Sequence, residues 1–189
     1  ERQEIVLSGA ETDAMAAFLA DHELSPKRYV VIHPYAFARH KCWTGEGYAA
    51  LAEQLAVRHG MRIVVSFCGQ EEEEARAAAA TMPQGTVLFN ASDLRQLAAL
   101  FSTAALVVAP DTGPLHLAVA QGAPVVGLYG PTDPQKSGPF FDPHRVVRAK
   151  TNCGAFCRIR AARRGESCRC MRQLPLDPVL AACDELLAR

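Results

Sequence analysis

Short apolar runs rich in β-branched residues recur along the chain, separated by longer segments in which polar and apolar positions mix. The runs cover residues 29–32, 62–67, 86–89, 105–108, 124–128 and 146–147. Most of them are continuous rather than alternating, which is typical of strands that are covered on both faces. The pattern therefore predicts a parallel sheet of about six strands.

The segments between these runs have the spacing of amphipathic helices. Helices are predicted at residues 11–22, 48–59, 71–81 and 94–101, with a last one after Pro175. Gly60 is a natural stop for the second helix, and Ser92 or Asp93 can cap the fourth. Strand and helix alternate at about 20–30 residues per unit, which implies right-handed crossovers. The predicted fold is α/β, a Rossmann-like doubly wound parallel sheet.

Composition limits the class of protein. The chain has 189 residues, of which 49% are apolar and 21% charged, as in an ordinary globular domain. No apolar run approaches the roughly 20 residues that a membrane helix needs. Seven cysteines in a chain of this length do not indicate a small disulfide-stabilised protein. We expect an intracellular, cytoplasmic protein.

The charge and the periodicity both change near residue 148. Residues 1–144 contain ten basic and sixteen acidic side chains, whereas residues 145–189 contain ten basic and four acidic ones. Segment 149–172 is rich in cysteine and arginine and has no clear period. We therefore expect a Rossmann-like domain at 1–148, with a Cys/Arg-rich segment and a C-terminal helix at 149–189 packing on it.

The basic end of the chain indicates an anionic partner, unless it is only an ordinary solvated face. Nine basic residues cluster there: Arg145, Arg148, Lys150, Arg158, Arg160, Arg163, Arg164, Arg169 and Arg172. An acidic sugar acceptor, its phosphates or the inner face of a membrane would fit. Nucleic acid is not expected, because no aromatic platform accompanies the charge.

Polar and glycine-bearing residues follow each predicted strand, and ligands of open parallel sheets bind beyond the carboxyl ends of the strands. The junction after the fourth strand is the most informative. Asp111 ends the strand, Gly113 allows a tight turn and close backbone approach, and Pro114 fits the first helical turn. Thr112 and His116 complete the junction, whose free N–H groups would hold a phosphate. In the alternative interpretation, Asp111 and Thr112 merely cap the helix.

Two further features complete a nucleotide site. Lys41 can supply the countercharge that a metal would otherwise provide to a phosphate, and no Asp-x-Asp pair is present. One carboxylate among residues 71–74 can accept hydrogen bonds from ribose hydroxyls. The fingerprints G-x-G-x-x-G and G-x-x-x-x-G-K-[ST] are absent, which disfavours an NAD site and a P-loop.

The order of these motifs resembles glycosyltransferase family 9, the ADP-heptose:lipopolysaccharide heptosyltransferases. The resemblance runs from about residue 5 to the end of the chain. It rests on His33-Pro34, Lys41-x-Trp43, Gly69 followed by glutamates, Ser92-Asp93-Leu94, Asp111-Thr112-Gly113-Pro114-Leu115-His116-Leu117-Ala118 and Gly130-Pro131-Thr132-Asp133-Pro134. The last two motifs are the most specific.

The resemblance implies one half of a GT-B fold, the donor-binding domain, without the N-terminal acceptor domain. The donor would be an ADP-sugar, with ADP-heptose as the expected one, and the reaction a metal-independent inverting transfer in lipopolysaccharide core synthesis. No cofactor would be required, and the acceptor would be the lipopolysaccharide core or another anionic molecule, with peripheral membrane contact through the arginine-rich tail. The catalytic base would lie on the absent domain, so the chain alone would be inactive.

The resemblance also implies roles for individual residues. It places the ADP diphosphate on Lys41 and the amides of Thr112 and Gly113, beside Pro114. It places the ribose on Glu73 with Glu72 as its neighbour, the adenine near Ala91 and Ser92, and the sugar and diphosphate near Asp111 and His116.

Two other readings stay open at this point. The chain could belong to another GT-B transferase or to a nucleotide-sugar epimerase, which share the fold and a similar crevice. It could also be a non-catalytic nucleotide-binding module.

A second constellation lies in the tail, Cys153-x3-Cys157-x10-Cys168-x-Cys170. Four thiols at this spacing can bind zinc, form disulfides or stay reduced, and the sequence leaves these alternatives open. Cys42, Cys68 and Cys183 are predicted to be packed as small hydrophobic residues.

Overall fold

The computed structural model describes residues 5–150, 153 and 155–188, the side chains of 155 and 156 excepted. Residues 151, 152 and 154 of the predicted Cys/Arg-rich segment lie outside the described residues. Six strands form one parallel sheet in the order β3-β2-β1-β4-β5-β6. The strands are β1 Tyr29–Ile32, β2 Arg62–Cys68, β3 Val87–Ala91, β4 Leu106–Pro110, β5 Val125–Tyr129 and β6 His144–Arg148. The predicted fold class and all the predicted strands are confirmed.

Helices connect the strands and cover the sheet. They are α1 Gly9–Asp21, α2 Gly45–His59, α3 Glu72–Ala79, α4 Leu94–Thr103, α5 Gly113–Ala120, α6 Pro134–Ser137, α7 Ala155–Arg164, α8 Arg169–Arg172 and α9 Leu176–Leu187. Gly60 ends α2 in the left-handed conformation and Asp93 caps α4, as predicted. Within the described residues, no helix combines the length and the apolar character that crossing a membrane requires.

The sheet separates two hydrophobic cores, and β1 shows how they are built. Its residues Tyr29 and Val31 belong to the core that also contains the buried side chains of α4 and α5, whereas Val30 and Ile32 belong to the core on the side of α2 and α9. Successive strand residues point to opposite faces. Because both faces are covered, the strand is apolar at every position, which produced the continuous runs in the sequence.

Segment 149–172 contains two helices that the sequence analysis did not predict. Between Cys157 and Arg164 of α7, Ala161 is the only buried side chain, so this described stretch carries no apolar stripe of helical spacing. Alanine and arginine favour helix even without such a stripe. A helix therefore forms here although the sequence has no helical period of apolar residues.

Two of the three cysteines outside the tail cluster are packed as predicted. Cys42 and Cys183 are buried, but Cys68 is exposed, so the prediction is wrong for Cys68. Cys68 is the last residue of β2 and lies at the carboxyl edge of the sheet, where the covering helices no longer enclose the strand.

Candidate functional site

The candidate site lies at the carboxyl edge of the sheet, between β1 and β4. These strands are parallel neighbours, but the strands that follow them lie on opposite sides. The chain continues from β1 to β2 on one side, and from β4 to β5 on the other. Crevices for ligands form at such a switch point. The turn Arg39–Lys41 follows β1, and Asp111 follows β4. The fold thus brings together two residues that are far apart in the sequence.

Lys41 and Asp111 form an ion pair at this point. The ammonium of Lys41 donates to Oδ2 of Asp111 at 2.8 Å and to the carbonyl oxygen of Asp111 at 3.2 Å. The Asp111 side chain is 6% exposed and that of Lys41 25%. The carboxylate is therefore fixed inside the protein, whereas the ammonium still reaches solvent.

Two more side chains converge on Asp111. Nε2 of His116 lies 3.8 Å from Oδ1 of Asp111, and Thr132 approaches the same carboxylate from the loop after β5. Burial alone would raise the pKa of the Asp111 carboxyl, but His116, Lys41 and Thr132 outweigh it and hold that pKa well below its usual range. Asp111 is thus a fixed negative charge that orients cationic neighbours.

The N-terminus of α5 begins directly after Asp111. At α1, α2, α4 and α6 the side chain of the cap residue accepts a hydrogen bond from the first turn. The Thr112 side chain makes no such bond to α5, and the cap residues of α3, α8 and α9 make none either. The interpretation of Asp111 and Thr112 as ordinary helix caps therefore fails. Pro114 has no N–H, and the amide of Leu115 donates to the carbonyl of Thr112 at 3.1 Å. Within the described residues, the amides of Thr112 and Gly113 therefore stay available for another group.

Space is open beside these amides. A Cβ atom built at Gly113 would meet no atom within 4 Å. The φ angle of Gly113 is not positive, so no left-handed turn requires glycine here; its missing side chain instead leaves room for a ligand to approach the backbone. Pro114 occupies the first turn of α5, as predicted.

The four glutamates after β2 have different surroundings. Glu71 lines a cavity of about 420 Å³ together with Phe37 and Gly69. Glu72 pairs with Arg76 one turn along α3. Glu73 is exposed and, within the described residues, has neither an ion pair nor a side-chain hydrogen bond.

Glu74 is held by an arginine of the Lys41 turn. Both carboxylate oxygens of Glu74 accept hydrogen bonds from the guanidinium of Arg39. This contact lowers the pKa of Glu74. Neither Glu72 nor Glu73, the residues singled out from the sequence, is among the residues that line the cavity at this edge, but the neighbouring Glu71 is. The sequence signal for Glu71 is only its place in the same acidic run.

Ala91 and Ser92 follow β3 on the same edge. Ala91 is buried and lies in register with Cys68 of β2, which lines the cavity that contains Glu71. The amide of Ser92 donates to the side chain of Gln96 at 3.0 Å. The structure thus places Ala91 on the strand next to the cavity, on the side away from Lys41.

The cysteines and arginines of the tail form a separate region beside this edge. The Sγ atoms of Cys153, Cys168 and Cys170 lie within 4.8 Å of one another, and that of Cys157 lies 3.3 Å from that of Cys153. The backbone amide of Cys168 donates to the carbonyl of His40 at 3.0 Å. Four arginines line a cavity of about 380 Å³, namely Arg160, Arg164, Arg169 and Arg172. Both clusters thus lie next to the turn that carries Lys41.

Comparison with known proteins places these observations in a family context. The family model described as glycosyltransferase family 9 (heptosyltransferase) matches residues 3–163. The lipopolysaccharide core heptosyltransferase OpsX of Haemophilus influenzae is 34% identical over 128 residues, which make up 64% of this chain and 35% of OpsX.

Solved structures have the same architecture. The glycosyltransferase family 9 structure from Veillonella parvula superposes with a TM-score of 0.84 at 21% identity. The superposed region makes up 98% of this chain and 53% of the Veillonella chain. The structure of the E. coli heptosyltransferase WaaC with ADP superposes with a TM-score of 0.69 at 25% identity, over 91% of this chain and 48% of WaaC. The chain therefore spans about a third of the curated relative and about half of the solved structures.

Proposed function

Because the chain belongs to glycosyltransferase family 9, we propose that it is the donor-binding half of a heptosyltransferase of lipopolysaccharide core synthesis. Its relatives carry heptosyltransferase names, and the match covers only part of their length. The proposal therefore assigns the acceptor domain and the catalytic base to a part of the enzyme outside this chain. No residue of this chain is assigned as a catalytic base.

The observation that carries the proposal is the uncapped N-terminus of α5 beside the Lys41–Asp111 pair. The amides of Thr112 and Gly113 would donate to the diphosphate of the donor, where the positive end of the helix dipole favours negative charge. An ammonium has three donors, so Lys41 can keep its bond to Asp111 and still donate to a phosphate oxygen. His116 would face the sugar side of the diphosphate.

The nucleoside would extend from this point along the carboxyl ends of β2 and β3. The cavity of about 420 Å³ there offers Glu71 to the ribose hydroxyls and the backbone near Ala91 and Ser92 to the base. Glu72 and Glu73 lie on the adjoining turn of α3, and a carboxylate of this run is proposed to hold the ribose. The WaaC structure with ADP supports an adenosine diphosphate donor, and ADP-heptose is the proposed one.

The proposed chemistry is an inverting transfer. An acceptor hydroxyl attacks the anomeric carbon, the bond from that carbon to the diphosphate oxygen breaks, and the hydroxyl proton passes to the base outside this chain. The share of this chain is to stabilise the negative charge that develops on the departing ADP, through donors already fixed in place. Since Lys41 and the α5 amides supply that stabilisation, we propose that the step needs no divalent ion on the diphosphate.

The arginine-rich tail is proposed to bind the anionic acceptor and the lipid surface that presents it. Arg158, Arg160, Arg163, Arg164 and Arg169 are exposed, and within the part of the chain that the structure describes none of them forms an ion pair. Arg158 lies close enough to His40 to affect it electrostatically. This charge therefore borders the edge where the donor sugar would lie.

Calorimetric titration with ADP tests the donor site. We expect the full chain to bind ADP more tightly than UDP or GDP, with the same affinity in the presence and absence of added Mg²⁺. Lys41→Ala removes a charge-assisted hydrogen bond and leaves the buried Asp111 carboxylate without its ammonium partner beside the diphosphate, so it should cost about 2 kcal/mol, or about 30-fold in affinity.

Arg58→Ala is the matched control, because Arg58 lies near the end of α2, which leads to the opposite edge of the sheet. Its ADP affinity should equal that of the parent chain. Equal losses in the two variants, or equal binding of the three nucleotides, would contradict the proposed donor site.

A further inference from the structure

The four cysteines of the tail bring their sulfur atoms together in one place. The Sγ atoms of Cys153, Cys168 and Cys170 all lie within 4.8 Å of one another. Sγ of Cys157 lies 3.3 Å from that of Cys153 and also contacts that of Cys168. Zn–S bonds of about 2.3 Å place the sulfurs of a tetrahedral site about 3.8 Å apart. Three of the sulfurs thus lie near this spacing, and Cys157, which contacts two of them, completes four-coordinate geometry if its side chain moves toward Cys170.

Backbone amides already point at these sulfurs. The amide of Cys170 donates to Sγ of Cys153 at 3.3 Å, and the amide of Arg169 donates to Sγ of Cys157. Hydrogen bonds of this kind orient and stabilise the ligands of metal-thiolate centres. Cys168 and Cys170 are fully buried, and all seven cysteines of the chain are free thiols.

Within the described residues, α7 has little apolar packing against the rest of the protein. Ala161 is the only buried side chain between Cys157 and Arg164, and a helix of ten residues is marginal by itself in water. The charged residues of α7 would repel one another. A bond from Cys157, at the start of this stretch, to a buried ion would add to the limited packing of Cys157 and Ala161.

We infer that Cys153, Cys157, Cys168 and Cys170 bind one thiophilic metal ion, zinc or iron, in a tetrahedral site. A closed set of four thiolates selects these metals. The thiols lose their protons as the ion binds, so metal affinity falls as the pH is lowered. The ion has a structural role, because all four positions are filled by protein ligands and none is left for a substrate.

The site would fix two loops of the proposed donor site, a consequence that rests on the proposed function. The amide of Cys168 donates to the carbonyl of His40, the neighbour of Lys41. Gly130, directly after β5, packs so closely that an added Cβ would lie 2.8 Å from Sγ of Cys170 and 2.5 Å from Sδ of Met171. The loop from Gly130 continues to Thr132, which approaches Asp111. Metal binding would thus stabilise both sides of the Lys41–Asp111 pair.

Metal analysis of the full chain, purified without chelator under reducing conditions, tests the site. We expect one zinc or iron per chain, with visible charge-transfer absorption only if the metal is iron. Replacing the metal with Co²⁺ should give the visible bands of a tetrahedral cobalt thiolate. Cys168→Ser and Cys170→Ser should abolish stoichiometric binding, whereas Cys183→Ala, which alters a buried cysteine outside the cluster, should retain it.

A reversible experiment covers the case in which the serine variants do not fold. Removing the metal from the parent chain with a chelator should lower its Tm and weaken ADP binding severalfold, and adding Zn²⁺ or Fe²⁺ anaerobically should restore both. No bound metal after anaerobic reconstitution, or an intact mass lower by two hydrogens for each disulfide in the freshly purified protein, would overturn the site. Metal binding without any ADP binding would count against the proposed function alone.

Discussion

Two buried ionisable side chains at the carboxyl edge of the sheet have opposite surroundings. Asp111 is surrounded by Lys41, His116 and Thr132, which favour its charged form. His33, directly after β1, is buried, and its Nδ1 lies 3.0 Å from the hydroxyl of Ser66. Burial therefore lowers the pKa of His33 to about 4, and a hydrogen bond with the backbone of Ser66 offsets this only in part. One group is held charged, and the other is held neutral.

His33 should make the stability of the chain fall as the pH is lowered. In the unfolded chain a histidine binds a proton near pH 6.5, whereas in the folded chain His33 does so only near pH 4. Protons then favour the unfolded state between these values, which costs about 2 kcal/mol at pH 5 relative to pH 8. Urea unfolding at a series of pH values measures this loss. Asp111 contributes little in this range, because it stays ionised in both states.

His33→Asn is the informative variant, since an amide can replace the ring at Ser66 but does not titrate. Its unfolding free energy should depend less on pH between 8 and 5 than that of the parent chain, by the same about 2 kcal/mol. The slope is the readout, so a uniform loss of stability does not affect the test. Parallel pH profiles for the two chains would show that His33 is not the source.

At the scale of helices, the way in which α2 begins shows how local propensity and packing can oppose each other. The hydroxyl of Thr44 caps the helix by accepting from the amide of Gly47 at 3.0 Å. The ring of Trp43 folds over the first turn and its Nε1 donates to the carbonyl of Leu174 at 3.0 Å. A Cβ atom at Gly47 would lie 2.4 Å from that ring. The glycine therefore makes room for the contact between α2 and the tail.

Gly47→Ala should destabilise the chain although alanine favours helix. The intrinsic gain is about 1 kcal/mol, whereas displacing a packed ring typically costs about 1–3 kcal/mol and here also breaks the bond from Trp43 to Leu174. We expect a lower Tm in thermal unfolding, together with a shift in the fluorescence of Trp43, the single tryptophan.

Gly45→Ala provides the comparison within the same helix. A Cβ atom at Gly45 meets nothing within 4 Å, so this change should leave Tm equal or slightly raised and the fluorescence unaltered. If Gly47→Ala were as stable as Gly45→Ala, the Trp43 ring would not be fixed as described.

The elements differ in how well the sequence predicts them, for physical reasons. The strands were predictable because burial on both faces leaves continuous apolar runs. The meeting of Lys41 with Asp111 followed from the rule for strand ends once β1 and β4 were recognised. That rule does not tell which of the glutamates 71–74 faces the cavity, because the short turn Gly69–Glu71 before α3 decides it. Helix α7 was not predicted either, because its described stretch from Cys157 to Arg164 has no apolar stripe of helical spacing.

Across the whole molecule, the uneven charge of the sequence becomes a localised basic surface. The exposed arginines of α7 and α8 gather on the same side as the turn Arg39–Lys41, and Glu166 is paired with Arg172 at 3.7 Å. The acidic residues that balance the total lie mostly on the Rossmann-like part, where three of them are paired with Arg39, Arg76 and Arg95. Although the net charge of the chain is zero, the arginines of α7 and α8 therefore produce a strong positive electrostatic potential on this surface.

This basic surface should bring the chain to anionic lipid surfaces. In vesicle flotation at low salt, we expect binding to vesicles that contain phosphatidylglycerol and none to vesicles of phosphatidylcholine alone. The combined change Arg160→Gln and Arg164→Gln should weaken binding about 30-fold, because each arginine near such a surface contributes about 1 kcal/mol. The combined change Arg58→Gln and Arg76→Gln removes the same charge elsewhere and should have a much smaller effect. Equal losses of vesicle binding in the two double variants would mean that net charge alone governs binding. Equal flotation of the parent chain on both kinds of vesicle would exclude the electrostatic contact proposed for the tail.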